Sequence, residues 1–352
     1  MKGRMKKAVL TAPRRFEVID ADIPSPGPDE VLVKVNSMGI CGSDLHYYEG
    51  NYVSDQAIEY PMSLGHEFSG YVVEIGSKVT EFKAGDRFMA EPSLGCGECE
   101  FCRAGRSNLC PATKFCGSPP VEGALSQYYV LNKHQVFAIP DEMTYDDALM
   151  AEPLANLLHA LSMSRFKKGD TACIIGCGPI GLLLMQVVRR AGASRIFVSE
   201  KVPARLEHAR RLGADVCIDA RSQEADKVVL AETNGRGVDV AFEAAGDPSA
   251  INQCLHAVRR GGLVLLEGIP VESVIPFDLR TARRKELTVQ TCRRCPDPPT
   301  EAIRLIHEGE IEVHSLITHH FPISRTQEAY EMVYKKADGA VKVIIHPWLN
   351  EV

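Results

Sequence analysis

"TACIIGCGPIGLLLMQVVRRAG", residues 171–192, decides the fold of this chain. TACII is a short apolar run and reads as a buried strand. A glycine turn follows, and PIGLLLMQVVRRAG reads as an apolar helix opening at Pro179. The turn Gly176-Cys177-Gly178-Pro179-Ile180-Gly181 is thus a G-x-G-x-x-G set between a strand and a helix. In that setting the first glycine permits the tight turn, the second lets the backbone approach a pyrophosphate, and the third lets helix and strand pack closely. The helix start then offers free N–H groups and a positive dipole end to phosphates. Gly176, Gly178, Pro179, Ile180 and Gly181 are therefore the expected dinucleotide contacts. A glycine turn that binds nothing is the competing reading, and the flanking strand and helix argue against it.

The same texture continues outward. SRIFVSE (194–200) is a second strand, PARLEHARRLGA (203–214) a second helix and DVCIDA (215–220) a third strand. VDVAFEAAG (238–246), GGLVLLEGI (261–269) and KELTVQT (285–291) carry the alternation on. Nearly continuous apolar strands alternating with helices imply a parallel sheet covered on both faces. Strand two ends at Glu200, where a carboxylate can accept hydrogen bonds from both adenosine ribose hydroxyls. It would repel a 2′-phosphate, which favours NAD over NADP. Lys201 and Arg205 stand nearby as cations able to serve a phosphate, and Arg205 joins the expected cofactor contacts.

Upstream the pattern changes. KAVLT (7–11), RFEVIDA (15–21), EVLVKVNSMG (30–39), FSGYVVEIG (68–76) and DRFMAEP (86–92) are short apolar or alternating runs separated by Pro, Gly and Asp. They read as a β-rich, barrel-like domain. TYDDALMAEPLANLLHALSMSR (144–165) reads as one helix with Thr144 as N-cap. Near the end, PDPPTEAIRLIHEGEI and PISRTQEAYEMVYKK read as helices and AVKVIIHP as a strand.

Composition bounds the function. The chain has 352 residues, 45% of them hydrophobic and 24% charged, with 40 basic and 46 acidic residues and a net charge of −6. That lacks the basic excess of a nucleic-acid binder. No apolar run approaches the ~20 residues that cross a bilayer. The start, MKGRMKKAVLTAPRRFEVID, has no apolar signal region, so a cytoplasmic protein is expected. In a reducing compartment, clustered thiols among the twelve cysteines point to metal rather than disulfides.

GCGECEFCRAGRSNLC (95–110) holds Cys96, Cys99, Cys102 and Cys110 in the spacing C-x₂-C-x₂-C-x₇-C. Four thiolates close a tetrahedral zinc shell and leave no place for substrate, so this metal would be structural. Iron–sulfur is the rival, and four metal-free thiols would be an oxidation liability. A second, dispersed set comprises Cys41 in GICGSDLHYYEG, His66 and Glu67 in GHEFSGYVVEIGSKV, and Glu152 in MAEPLANLLHA. Thiolate, imidazole and carboxylate with one position open to water describe a catalytic zinc site.

GHEFSGYVVEIGSKV, with Gly65, His66, Glu67, Gly70 and Gly76 in register, resembles the zinc signature of the medium-chain dehydrogenase/reductase superfamily. Cys41, the four-cysteine lobe and the Gly176–Gly181 turn follow in the family's order. The carboxylate of AEPL, together with CGSDLHYYEG, KFCGSPPVEGALSQYYV and Arg294 in TCRRCP, resembles the sorbitol (L-iditol), or polyol, dehydrogenase branch. The resemblance implies an α/β protein with a GroES-like β-rich catalytic domain, residues 1–151 and 292–352, and a Rossmann doubly wound parallel-sheet domain, residues 152–291, with the active site in the cleft between them. It implies that Cys41, His66 and Glu67 bind catalytic zinc and that Glu152 holds or replaces the zinc's water. It implies that Tyr47, Phe115, Glu152 and Arg294 face the substrate, and that Ser43 and His46 relay the proton. The branch usually sets aromatic residues beside that arginine. Here Arg293 and Cys295 flank it, an altered pocket wall that suits a sugar phosphate.

The expected activity is reversible oxidation of a polyol's secondary alcohol to a ketose, with hydride passing to NAD. L-threonine, a vicinal diol such as 2,3-butanediol, or a hexitol phosphate are alternative substrates. A non-catalytic NAD- and zinc-binding protein is the alternative of another class. A homotetramer or dimer is expected, joined through the sheet edge supplied by LVLLEGIPVESVIPFD (263–278).

Overall fold

In the computed structural model, which describes residues 2–51 and 56–349, the TACII strand spans Thr171–Ile175 inside a six-stranded sheet. Its neighbours run in the order Val216–Asp219, Arg195–Glu200, Thr171–Ile175, Val238–Glu243, Val258–Leu266 and Thr288–Thr291, and every pairing is parallel. The strand order reverses beside Thr171–Ile175, which is where open α/β sheets bind their ligands. Both faces are covered, so Val238–Glu243 is buried at every residue, even at Asp239 and Glu243. Two helices that the sequence did not announce, Ala225–Glu232 and Pro248–Ala257, complete the winding.

By internal contacts the chain divides into Asn156–Cys295 with Glu310–Glu312, and Met1–Ala155 with Pro296–Gly309 and Val313–Val352. The second of these is built on a seven-stranded sheet. Its path runs Ile317–Pro322, Lys342–His346, Glu30–Gly39, Glu67–Ile75, Arg87–Ala90 and Val136–Ala138, and Tyr128–Asn132 also pairs with Glu30–Gly39. Alternation in EVLVKV places Val31, Val33 and Val35 in one core with Phe68, Val72, Phe88, Val343 and Ile345. A separate two-stranded ribbon, Arg4–Ala12 with Arg15–Asp22, precedes the sheet.

Two local expectations change. The helix expected over 144–165 is two helices, Tyr145–Leu149 and Ala151–Met163. Pro153 has no N–H to donate to the Leu149 carbonyl and its ring crowds that oxygen, so the first helix stops there. Thr144 does cap it, its hydroxyl accepting the Asp147 N–H at 3.0 Å. KELTVQT begins instead at the end of a helix, Leu279–Lys285. Glu286 turns the chain at φ 55° before the strand Thr288–Thr291. The strand Ile317–Pro322, sequence ITHHFP, was not expected at all.

Asp239 ties the base of the parallel sheet. Its carboxylate accepts the Thr171 N–H at 2.9 Å and hydroxyl at 2.8 Å, Arg236 Nη2 at 2.6 Å and Arg259 Nε at 2.7 Å. Burial alone would raise its pKa, but Arg236, Thr171 and Arg259 hold it well below the usual carboxylate range. A carboxyl that titrates lower folded than unfolded stabilises above about pH 4, and that contribution is lost as pH falls further. Asp239→Ala is expected to cost about 1–3 kcal/mol at neutral pH, and the gap to wild type should shrink on acidification; urea unfolding at two pH values measures both.

Candidate active site

The donors meet because two strands meet. Glu30–Gly39 pairs antiparallel with Glu67–Ile75, and the register sets Gly39 opposite Glu67. Cys41 follows two residues after Gly39, at the N-cap of the short helix Gly42–Tyr48. The Cys41 sulfur, a His66 ring nitrogen and a Glu67 carboxylate oxygen lie within 4.8 Å of one another. His66 and Glu67 are buried and Cys41 is partly so.

Asp44 locks two of these residues, a role that the sequence reading did not assign it. Its Oδ2 accepts the Cys41 N–H at 3.1 Å, and its Oδ1 stands 3.3 Å from His66 Nδ1. With Nδ1 held by a carboxylate, Nε2 is the nitrogen left to bind a metal, the usual arrangement at zinc histidines. Burial would keep the Cys41 thiol protonated, yet the neighbouring His66 draws its pKa below the ordinary value. Burial likewise opposes a charged His66, but Asp44 and Cys41 raise it well above the usual histidine range. Cys41, Asp44 and Glu67 thus gather acidic side chains around His66, where positive charge is favoured.

One further cation completes the site and was also missed. Lys342, on the strand Lys342–His346, is 2% exposed and pairs directly with Glu67 Oε2. Its Nζ also donates to the Ile40 carbonyl at 3.3 Å. Burial lowers its pKa to about 8, against the pull of the Cys41 and Asp44 charges. Gly39 makes room for the pair: a Cβ there would sit 2.7 Å from Lys342 Cε and 2.9 Å from Glu67 Oε2. Buried negative groups outnumber this fixed cation, and the donors are sulfur, nitrogen and oxygen. A zinc ion fits that charge and that donor set.

Of the remaining expected residues, Phe115 lies near the site, its ring tilted 54° to that of His66 with centres 5.0 Å apart. Tyr47 is buried and its hydroxyl bonds Ser118 Oγ at 2.8 Å. Ser43 and His46 lie half-buried on the same short helix. Glu152 is buried in the first turn of Ala151–Met163 and does not join the three donors within that 4.8 Å. Arg294 belongs to the other unit and adopts a left-handed backbone, φ 49°.

The four-cysteine lobe is bracketed by the paired strands Ser93–Leu94 and Lys114–Phe115. All twelve cysteines are free thiols, and the sulfurs of Cys96, Cys99, Cys102 and Cys110 lie within 4.8 Å of one another. Backbone N–H groups of Glu98 and Cys99 point at Cys96 Sγ, at 3.4 and 3.3 Å, and that of Cys96 at Cys110 Sγ, at 3.4 Å. The bond from the Cys96 N–H is the chief reason Cys110 drops to about 6. Sulfurs held this close fit the ~3.8 Å sulfur–sulfur edges of a tetrahedron with ~2.3 Å Zn–S bonds.

In the other unit the three motif glycines divide their labour. A Cβ on Gly181 would fall 1.8 Å from the Gly176 carbonyl oxygen, and Gly176 itself turns at φ 103°. Gly178, the helix N-cap, has nothing nearer such a Cβ than Arg205 Nη1 at 3.8 Å. That open approach, ahead of Pro179 at the helix start, is what a pyrophosphate needs. Glu200 is 9% exposed and accepts the Cys177 N–H at 2.8 Å, with Lys201 and Val202 N–H groups at 2.7 and 2.8 Å. Lys201 is drawn off to Asp247 at 3.3 Å, which leaves Arg205 as the cation over the turn.

Removing Lys342 strands the Glu67 charge, which costs about 3–5 kcal/mol for a buried pair. Lys342→Ala is expected to show most of that loss in zinc-stripped protein and much less after zinc is restored. Denaturant unfolding with and without zinc measures the difference; equal losses in both forms would refute the charge argument.

Residues 27–141 match the family model described as "Alcohol dehydrogenase GroES-like domain", and residues 179–308 match "Zinc-binding dehydrogenase". The chain is 37% identical over 343 residues to the sorbitol dehydrogenase of Bacillus subtilis, covering 97% of each. It is 36% identical over 349 residues to the D-arabitol-phosphate dehydrogenase of Enterococcus avium, covering 98% of this chain and 97% of the relative. A crystal structure of an Escherichia coli oxidoreductase/dehydrogenase of unknown specificity superimposes with a TM-score of 0.91 at 33% identity, covering 98% and 99% of the two chains. The buried Cys41–His66–Glu67 donor set, the cysteine lobe and the glycine turn therefore belong to a member of the zinc-binding medium-chain dehydrogenase/reductase superfamily, related to its sorbitol and polyol dehydrogenase branch.

Proposed function

We propose that this zinc- and NAD-dependent oxidoreductase oxidises a secondary hydroxyl of a polyol such as sorbitol or L-iditol to the ketose, reversibly. The observation that carries the reading is the buried sulfur–nitrogen–oxygen donor set of Cys41, His66 and Glu67, in a chain that also forms a complete dinucleotide turn. Bound zinc would supply Lewis acidity at the substrate hydroxyl, and bound NAD would supply the hydride-accepting chemistry.

The protein's residues do the rest. Asp44 keeps the His66 ring oriented, and Lys342 shares the Glu67 charge so that the site stays strongly electrophilic. Ser43 accepts the proton leaving the hydroxyl while giving up its own, which passes through the ribose hydroxyls of the nucleotide to His46 and solvent. Glu152 orients water or a second substrate hydroxyl at the open side. Phe115 and Tyr47, the latter fixed through Ser118, wall the pocket, and Arg294 holds a distal oxygen of the substrate. Gly178 and the start of the helix Pro179–Arg190 receive the pyrophosphate, and Glu200 the adenosine ribose.

The Arg293–Arg294 pair favours a second reading, a phosphorylated polyol, and the likeness to a D-arabitol-phosphate dehydrogenase supports it. No helix among the described residues is long and apolar enough to cross a membrane. A cytoplasmic, self-associating protein remains the proposal, with Ile269, Val271, Val274 and Leu279 at 48–84% exposure available to a second copy.

NADH formation with sorbitol, L-threonine, 2,3-butanediol and galactitol 1-phosphate tests the substrate. Sorbitol should give the highest kcat/KM; a higher value for threonine or butanediol would overturn the polyol reading, and one for the phosphate would select the second. Cys41→Ala should lower kcat by about a thousandfold, since the bound metal contributes several kcal/mol. With Glu200→Ala, NAD kcat/KM should fall more than that for NADP; a wild type that already prefers NADP would refute the assigned role.

A further inference from the structure

A third group of metal-type donors lies outside both zinc constellations. His320 Nδ1, His346 Nε2 and Asp146 Oδ2 form a closed triangle with sides of 2.9, 3.6 and 3.8 Å. The topology brings them together within one unit. His320 lies on Ile317–Pro322 and His346 on Lys342–His346, parallel neighbours whose register offsets the two histidines by two positions. Their rings stack at 5.2 Å and 21°. Asp146 reaches them from the first turn of the helix Tyr145–Leu149.

The triangle is pre-set from behind. His346 Nδ1 lies 3.3 Å from the Asn36 carbonyl oxygen, which can only accept, so Nδ1 carries the proton and Nε2 accepts from His320 Nδ1–H at 2.9 Å; an ion would take the place of that hydrogen once the His320 proton shifts to Nε2. Asp146 Oδ1 accepts from Ser37 Oγ at 2.5 Å, which leaves Oδ2 for the triangle. Outer partners of this kind are what orient metal ligands. The neighbouring histidines look elsewhere. His319 points to the opposite face of its strand and meets Asp338 at 3.2 Å, while His314 meets Asp147 at 3.4 Å.

We propose that Asp146, His320 and His346 form a third cation site, selective for zinc-class divalent ions and open to solvent on its fourth side. Two imidazoles and a carboxylate are a borderline donor set, suited to zinc rather than to calcium or magnesium. In a tetrahedral zinc site with bonds of about 2.0–2.1 Å, donor atoms stand about 3.3–3.4 Å apart. The three observed sides bracket that spacing, so small side-chain shifts suffice. The Asp146, His320 and His346 side chains are 25%, 45% and 23% exposed, which admits the ion and leaves water as its remaining ligand. An ion there would clip the returning C-terminal strands to the segment that leads into Ala151–Met163. His346 lies on the same strand face as Lys342, so the clip would also fix the strand that carries the Glu67 counter-charge.

The test is a difference in stoichiometry, independent of which alcohol the protein oxidises. Wild type and His320→Gln/His346→Gln are equilibrated with the same excess of zinc, passed through a desalting column and analysed for metal per chain. In a separate arm, each protein is brought to two zinc ions per chain with a mild chelator and titrated with zinc by calorimetry. Wild type should hold one equivalent more than the double variant, and only wild type should show the corresponding saturable heat. Ser37→Ala should weaken that binding by about ten- to a hundredfold, and His314→Ala should leave it unchanged. Equal zinc content in wild type and double variant, or a heat that survives in the variant, would reduce the triangle to a histidine–histidine hydrogen bond and overturn the proposal. Ser37 is buried and the histidines are more exposed, so folding is checked by NAD binding, which should be the same in all four proteins.

Discussion

Charge neutrality in a dry pocket is the constraint on which this molecule's active site depends. Cys41, Asp44 and Glu67 gather acidic side chains in one buried corner, and the fold brings Lys342 to them, its pKa drawn down to about 8 by burial. Such a corner is tolerable only when a cation is shared among its members. Asp44 and Cys41 favour a positive His66, and zinc would fill that need better because it draws on sulfur, nitrogen and oxygen at once. Backbone details at distant positions follow from this need. Gly39 is bare so that Lys342 can pass, and Asp44 sits in the first turn of its helix so that one carboxylate can serve both Cys41 and His66.

The division of labour between the two cysteine-bearing sites follows from the same physics. Around Cys41 the donors are chemically mixed and one side is left for a reactant. In the lobe between Ser93–Leu94 and Lys114–Phe115 the donors are four sulfurs that would close the shell of any ion they held, with backbone N–H groups turned onto them. A saturated shell can only hold a loop in place. Its location has a use, since the lobe's last strand delivers Phe115 against the His66 ring.

Much of this was legible in the sequence, for identifiable reasons. The glycine turn could be read because its meaning depends on its immediate neighbours, a strand before and a helix after. The lobe could be read because four cysteines at that spacing have few other uses; Cys41, His66 and Glu67, each ambiguous alone, could be read only beside the dinucleotide turn and through their resemblance to the family's zinc signature. Lys342 could not: in AVKVIIHP it looks like the ordinary solvent-facing cation of an edge strand, and only pairing with Glu30–Gly39 turns it inward. His320 and His346 were hidden for a similar reason, being far apart in sequence and joined by a strand, Ile317–Pro322, too polar to announce itself. Asp44 was seen but given no task, because a helix-capping aspartate and a metal-site aspartate look alike until His66 is placed beside it. The break at Met150 was written in the chain as Pro153, and a single long helix was the wrong reading of that residue.

The glycines of the dinucleotide turn differ in what would befall a descendant that lost them. At 176 and 181 a methyl group collides with the chain's own backbone, so the lineage would forfeit the folded domain itself. At 178 a methyl group meets almost nothing, and the domain would persist intact. Only its hold on the nucleotide would fade. Position 178 is thus where a redox catalyst could drift into a silent scaffold without any outward sign of damage.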